Sequence, residues 1–128
     1  MAQKQDFSGK WLFRHWYPSA DDLSEESQEY EMIAHQKNDH IVLQSVKKDQ
    51  HDSYMLARLN VDGKVAIGSW YEDASVHGPF KGAQYSGTGQ LIIDDSGNRM
   101  DGIWAGAGLD RSLNELRIYT GRWEFVRL

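Results

Sequence analysis

The part of the sequence that decides the fold is residues 53–72, which read SYMLARLNVDGKVAIGSWYE. Its first half alternates apolar side chains with others, as expected for a half-buried β-strand. The side chains on the apolar face are Met55, Ala57, Leu59 and Val61. The dipeptide Asp62-Gly63 then interrupts the pattern, and this pair is a strong signal for a two-residue hairpin. The stretch therefore predicts two antiparallel strands, about 53–61 and about 64–72.

Similar alternation, separated by turn residues, runs through most of the chain. The other strands expected are about 10–17, 30–37, 40–46, 80–93, 99–106 and 115–126, with turns at Asn38-Asp39 and at residues 94–98. Eight antiparallel strands leave two open edges unless the sheet closes on itself. We therefore expect an all-β fold in which residues 1–128 form one domain, an eight-stranded antiparallel up-and-down barrel. At eight strands the interior is either filled by side chains or holds one small ligand.

The one stretch without a strand pattern is residues 18–29. It has no basic residue and carries five carboxylates, namely Asp21, Asp22, Glu25, Glu26 and Glu29. We expect a short helical or loop lid after strand 1, with Ser19 or Asp21 as N-cap if it is helical. A divalent-cation site is the alternative to a solvated loop. The solvated loop is favoured because the stretch lacks the glycine of a calcium-binding turn.

Composition narrows the classes of function. A length of 128 residues suits a single domain, and the net charge of −5 argues against indifferent binding to a nucleic-acid backbone. The chain has no cysteine, which excludes disulfides, thiolate metal sites and a cysteine nucleophile. No apolar run is long enough for a membrane helix, and the polar start does not resemble a signal peptide. A cytoplasmic location is the default expectation.

The sequence Gly9-Lys10-Trp11, followed by a meander that ends in a strand with two arginines, resembles the calycin pattern of lipocalins and their relatives. In those barrels the tryptophan closes one end and an arginine of the last strand packs over it. The resemblance implies a pair between Trp11 and Arg122, with Arg127 as the second choice.

A second resemblance covers nearly the whole chain and is to a bacterial β-barrel domain that often follows a helix-turn-helix module in predicted transcription regulators. The matching runs are Gly9-Lys10-Trp11 with Tyr17-Pro18-Ser19, GSWYE at 68–72, KGAQYSG at 81–87, RMDGIWAG at 99–106 and TGRWE at 120–124. No helix-turn-helix precedes the barrel here, so DNA binding is not carried over. The resemblance implies a sensor part, alone or within a longer protein with an effector. A weaker similarity is to nucleotide-sensing barrels of bacterial anti-phage effectors, and fold similarity alone does not establish function.

Catalytic and metal motifs are weak. The sequence has no nucleophile elbow, zinc-protease helix, Walker loop or dinucleotide fingerprint. His35 and His40 flank one predicted hairpin, but they lack a third ligand, so surface histidines are favoured over a metal site. We therefore expect no catalytic residue, no metal and no cofactor, with Glu72 or His15 as the base if the chain is a hydrolase.

Aromatic residues on several strands are the strongest functional signal. The five tryptophans either fill the core, which is favoured for any one of them, or form the walls of a pocket that stacks a planar ligand. Polar residues on the same strands add weight to the pocket. The candidate ligand-binding residues are Arg14, His15, Tyr17, Arg58, Trp70, Glu72, Lys81, Tyr85, Trp104 and Trp123.

The direction of each side chain is the deciding question, because a slip of one residue reverses every face. Tyr85 is expected to point inward, since it shares a face with Leu91. Arg58 shares its face with Leu56 and Asn60. If that face points inward, Arg58 is a buried cation that needs an anionic partner, either Glu72 or an anionic ligand. If the face points outward, Arg58 is solvated, and this is the favoured alternative.

The function expected from the sequence is a sensor-type barrel that binds a small planar ligand, with an anionic nucleotide signal as the favoured class. A hydrolase and a packed structural or oligomerising barrel are the alternatives. The oligomeric state is left open.

Overall fold

The computed structural model describes residues 5–18, 25–46, 53–73, 84–110 and 114–128, and within these ranges it contains eight β-strands and no helix. The strands are β1 (Gly9–Pro18), β2 (Glu25–Lys37), β3 (His40–Ser45), β4 (Tyr54–Asp62), β5 (Val65–Asp73), β6 (Gln84–Ile93), β7 (Arg99–Asp110) and β8 (Glu115–Arg127). Each strand pairs antiparallel with the next, and β8 pairs with β1. The predicted closed up-and-down barrel is confirmed, and its architecture is consistent with a calycin-like barrel.

Two-residue hairpins set the register of neighbouring strands. Lys37 pairs directly with His40, and Asn38 between them has a φ of 55°. Asp62 pairs directly with Val65, and Gly63 has a φ of 61°. Asparagine and glycine are the residues that adopt this left-handed conformation most readily. The second loop is therefore Gly63-Lys64, one residue later than the sequence predicted.

Part of the stretch predicted as a lid belongs to a strand. β2 begins at Glu25 instead of Tyr30, and residues 19–24 lie outside the described part of the chain. The acidic residues that follow are held in the strand by cations on neighbouring strands. Arg14 forms an ion pair with Glu29, and Arg122 lies 4.0 Å from Glu25. Opposite charges across a ladder stabilise strand pairing, and neighbours distant in sequence cannot be seen in a local pattern.

One end of the barrel is closed by apolar side chains and an arginine. Phe7 and Trp11 are fully buried there, and the guanidinium of Arg127 lies 4.6 Å from the centre of the Trp11 ring. Arg127 also donates hydrogen bonds to the carbonyl oxygens of Asp6 and Ser8. The expected arginine over Trp11 is thus Arg127 and not Arg122, because Arg127 is the direct ladder partner of Trp11.

Glycines make room for the tryptophans inside the barrel. A Cβ added to Gly89 would lie 2.3 Å from the Trp123 ring, and one added to Gly106 would lie 2.6 Å from the Trp70 ring. These approaches are closer than real Cβ atoms tolerate, so the glycines are required for packing. Glycines of β6 and β7 thus leave the volume that the tryptophan rings of β8 and β5 occupy in the core.

Candidate functional site

A cluster of polar side chains lies inside the half of the barrel opposite Arg127. It consists of His15 from β1, Gln28 and Tyr30 from β2, and Glu72 from β5. The Tyr30 hydroxyl donates to Gln28 Oε1 at 2.9 Å, and it lies 3.4 Å from Glu72 Oε2. His15 Nε2 lies 3.4 Å from Gln28 Oε1 and 3.6 Å from Glu72 Oε2. Three strands thus bring four hydrogen-bonding groups to one point.

Burial controls the charge of this cluster. His15 and Glu72 are each 8% exposed. Burial raises the pKa of the Glu72 carboxyl to about 7, opposed by a hydrogen bond from Tyr30. Burial also lowers the pKa of His15 to about 4, opposed by its hydrogen bond with Gln28. The pair is therefore predominantly neutral in mildly acidic solution and not an ion pair, and Glu72 gains its charge near neutral pH.

The tyrosines beside the pair remain protonated hydroxyl groups. Burial, with a smaller contribution from the charge of Glu72, raises the pKa of Tyr30. Burial, followed by the charges of Glu26 and Glu72, also raises the pKa of Tyr17. Both side chains therefore keep their hydroxyl protons at physiological pH.

Aromatic rings enclose the polar cluster. The His15 ring stacks on Phe13 at 5.2 Å between centroids, and it lies 5.1 Å from Tyr17. Tyr85 and Tyr119 are partly buried and pack against the core nearby in the barrel, with Tyr85 the direct ladder partner of Glu72. We call the half of the barrel that holds the polar cluster, opposite Arg127, the open half. It combines aromatic surfaces with a few polar groups, which is the composition of a small-molecule site.

A cleft of about 330 Å³ opens between β1 and β8. Its lining residues are Trp16, Tyr17, Pro18, Glu25, Tyr119, Thr120 and Gly121. The β1–β8 ladder runs only from Trp11–Arg127 to His15–Trp123, and beyond it the indole N–H of Trp104 donates to the carbonyl oxygen of Trp16. Because Tyr17 lines this cleft and also contacts His15, it connects the cleft with the polar cluster.

The structure brings together part of the predicted site. His15, Tyr17, Glu72 and Tyr85 all face inward in the open half, as expected for Tyr85. Trp70 and Trp104 lie near them, with ring centroids 5.6 Å apart in an edge-to-face arrangement. Their N–H groups donate to the carbonyl oxygens of Thr88 and Trp16, so only ring surfaces are available to a ligand.

Two of the three predicted cations, Arg14 and Arg58, do not lie in the polar cluster. Arg58 is exposed on the outer wall, as favoured over burial, and it therefore cannot pair with Glu72 inside the barrel. Arg14 is also on the outer wall, where it pairs with Glu29. Lys81 lies outside the described residues. Trp123 is 1% exposed and donates to the carbonyl oxygen of Gln90, so it fills the core instead of lining a pocket.

Sequence reasoning missed four residues of the open half. Gln28 was hidden because residues 18–29 read as a loop, and Tyr30 lies at the start of the predicted strand 30–37, whose faces the sequence does not assign. Tyr119 and Arg117 share the inward alternation of β8, with Arg117 exposed at the mouth. Only the register between strands shows that Tyr119 lies near Tyr85, since both rings flank Gly108.

The histidines considered for a metal site lie on the surface of the described ranges. His35 and His40 are both exposed there. No group of three or more histidine, aspartate or glutamate side chains gathers in those ranges in a way that suits a metal ion. Nor do they contain a helix with the length and apolarity needed to cross a membrane.

Comparison with known proteins adds no relative. No protein-family model, curated protein or solved structure matches this chain. The barrel architecture is consistent with a calycin-like barrel, and no match assigns the chain to a family. The class that fold and site define is a closed eight-stranded antiparallel β-barrel with a buried polar cluster in one half.

Proposed function

We propose that this chain is a ligand-binding barrel that takes a small planar molecule into its open half. The observation that carries the proposal is the buried carboxyl group of Glu72. Its contacts with Tyr30 and His15, at 3.4 and 3.6 Å, are longer than the ~2.7 Å of a good hydrogen bond between oxygens. A carboxyl group buried with such long contacts is costly in a purely structural core, and a ligand that donates hydrogen bonds would offset that cost.

The ligand class follows from the chemistry of the cluster. Glu72 accepts hydrogen bonds, and the rings of Tyr17 and Tyr119, which line the cleft, offer stacking contacts for a flat ring. A heterocycle with an amino or ring N–H group fits both features. This is the chemistry of a nucleobase, which keeps a nucleotide as the favoured ligand.

An anionic part of the ligand needs a cation other than Arg14 and Arg58. Arg14 and Arg58 are on the outer wall, whereas Arg117 shares the inward face of β8 with Tyr119 at the mouth. We place the base of a nucleotide at Glu72 and its phosphate toward Arg117. Charge-assisted hydrogen bonds from a guanidinium suit a phosphate.

The test is a panel of bases, nucleosides and nucleotides, measured by melting temperature and tryptophan emission. A ligand at a hundredfold excess over its Kd should stabilise the protein by about 2.7 kcal/mol. We expect Glu72→Gln to abolish the shift and the matched control Glu124→Gln, on the outer wall, to preserve it. Arg117→Gln should weaken nucleotides while leaving nucleosides unchanged. A panel without any shift, or equal binding by Glu72→Gln, would contradict the proposal.

One observation favours a second function, a hydrolase. Glu72 titrates near neutral pH and lies 3.6 Å from His15, and such perturbed pairs occur at catalytic sites. In this alternative the Glu72 carboxylate accepts a proton from an attacking water. Turnover of an ester or phosphodiester panel that rises with pH through about 7 and is lost in Glu72→Gln would support it. Binding without turnover favours the sensor.

A packed structural barrel is the remaining alternative. Trp11, Phe13, Trp123 and Phe125 fill the closed half in this way. The open half differs because it buries two titratable side chains instead of apolar ones. A void-free core does not need such groups, since replacing them with apolar residues is often stabilising.

A further inference from the structure

The carboxyl group of Glu72 has one oxygen that its neighbours leave to a ligand. The hydroxyl of Tyr30, at 3.4 Å, and Nε2 of His15, at 3.6 Å, both approach Oε2. Within the ranges that the structure describes, no group donates a hydrogen bond to the other oxygen, Oε1. The side chain is nevertheless buried, with only 11% of it exposed. One oxygen of this buried carboxyl group therefore has long contacts, and the other has none.

The groups that face this carboxyl group are uncharged. Its ladder partners are Met55 on β4 and Tyr85 on β6. From β1 and β2 it is approached by His15 and Tyr30. Burial keeps His15 neutral by lowering its pKa to about 4, and burial raises the pKa of Tyr30. Since no cation in the described part of the chain pairs with Glu72, donated hydrogen bonds have to stabilise its ionised form.

The two oxygens of an ionised carboxylate select one edge of a nucleobase. They accept two parallel N–H bonds, as they do from the guanidinium group of arginine. Among the common nucleobases, only guanine has two adjacent donors on one edge, the ring N1–H and the 2-amino group. Adenine and cytosine have a ring acceptor beside their amino group, and uracil has its ring N–H between two carbonyl oxygens. An acceptor that faces a carboxylate oxygen forms no hydrogen bond.

We propose that the base bound at Glu72 is guanine, with its N1–H and 2-amino group donating to the two carboxylate oxygens. This inference rests on the proposed function, because it specifies the ligand of the same site. The cleft of about 330 Å³ lies at the lower end of ligand pockets, which suits a single base. Tyr17 connects the two, because it lines the cleft and contacts the ring of His15 beside Glu72.

Glu26 is a second carboxylate on the inward face of the open half. It is the direct ladder partner of Tyr17 and is exposed. Water already donates hydrogen bonds to an exposed carboxylate, so a base gains little by replacing that water. Glu72 is therefore the favoured acceptor, and Glu26 provides the matched control.

The test measures the Kd of nucleosides for the unchanged protein at about pH 8, where the Glu72 carboxyl group is ionised. Guanosine should bind at least about tenfold more tightly than inosine, which lacks the 2-amino group, and than 1-methylguanosine, whose N1–H is blocked. 7-Deazaguanosine keeps the same two donors, so it should bind within about twofold of guanosine. The same comparison holds for the monophosphates, because all of them share the phosphate group.

Variants locate the acceptor. Glu26→Gln should keep the preference for guanosine over inosine, whereas Glu72→Gln should bind neither nucleoside while its melting profile shows a folded barrel. The analogue series uses the unchanged chain, so it decides the matter also if Glu72→Gln folds poorly.

Different failures point to different errors. Equal binding of guanosine and inosine, or a preference that disappears in Glu26→Gln, would overturn the inference. Tighter binding of adenosine or cytidine that is lost in Glu72→Gln would overturn the assignment of guanine and would still support a base at Glu72. Absence of binding by every base, nucleoside and nucleotide would overturn the proposed function as well.

Discussion

Replacing Glu72 with glutamine should give the free energy of unfolding a strong dependence on pH that the unchanged protein lacks. In the unfolded chain His15 titrates at its ordinary pKa of 6.5, whereas burial lowers this pKa to about 4 in the barrel. The unfolded state therefore binds more protons between these values. Stability falls as pH falls from 6.5 toward 4, by about 3 kcal/mol in total at 1.36 kcal/mol per pKa unit.

His15→Gln should give the opposite slope. Burial raises the pKa of Glu72 from 4.5 to about 7, so the folded state now binds more protons between these values. Stability falls as pH rises from 4.5 to 7, again by about 3 kcal/mol.

The two effects cancel in the unchanged protein between pH 4.5 and 6.5. There the unfolded pair carries one proton on the imidazole, and the folded pair carries one proton on the carboxyl group. Equal numbers of bound protons give no slope. Because the folded pair is neutral, His15 and Glu72 together add no pH dependence to the free energy of unfolding in this range.

Urea unfolding followed by tryptophan emission measures these slopes. Each variant is compared with the unchanged protein at the same pH, so contributions from other residues cancel, and the double variant Glu72→Gln/His15→Gln should again be flat. Single variants that parallel the unchanged protein would refute the reasoning, because His15 and Glu72 would then not be buried in neutral form.

Two further predictions concern the core. Arg127→Ala should destabilise the barrel by about 2 kcal/mol in thermal unfolding, because it loses the stacking on Trp11 and the hydrogen bonds to carbonyl oxygens. Arg122→Ala loses the stacking of an exposed guanidinium on Trp16 and a long ion pair with Glu25, so it should cost at most about 1 kcal/mol. Gly89→Ala should cost about 1–3 kcal/mol by denaturant titration, because its Cβ would lie 2.3 Å from Trp123, and an unchanged midpoint would show that the packing is looser than this contact implies.

The barrel was predictable because its signals are local. Alternation within 53–61 and the turn residues Asn38 and Gly63 each act over a few positions, and seven of the eight strands in the described ranges both begin and end within about four residues of prediction. The start of β2 was wrong because its glutamates are stabilised by Arg14 and Arg122 on other strands. Such partners become visible only when the register is known.

The site was predictable only in part, for the same reason. His15 and Glu72 alternate with outward residues on their strands, so their inward direction could be read. Arg58 was included because polar and aromatic residues occur on the same strands. It lies instead on the outer wall, because residues of one strand alternate between the two faces. The same alternation selects Arg127 for the closed end, because it shares a face with Trp123.

The most direct test of ligand recognition is the chemical shift of the Glu72 carboxyl carbon, followed by NMR across pH with and without the nucleotides that raise the melting temperature. The free protein should show a midpoint near 7. Donor groups of a bound base stabilise the carboxylate, so saturation should lower that midpoint and binding should tighten as pH rises through it. A free midpoint at the ordinary 4.5, or one that a bound nucleotide leaves unmoved, would contradict recognition at Glu72.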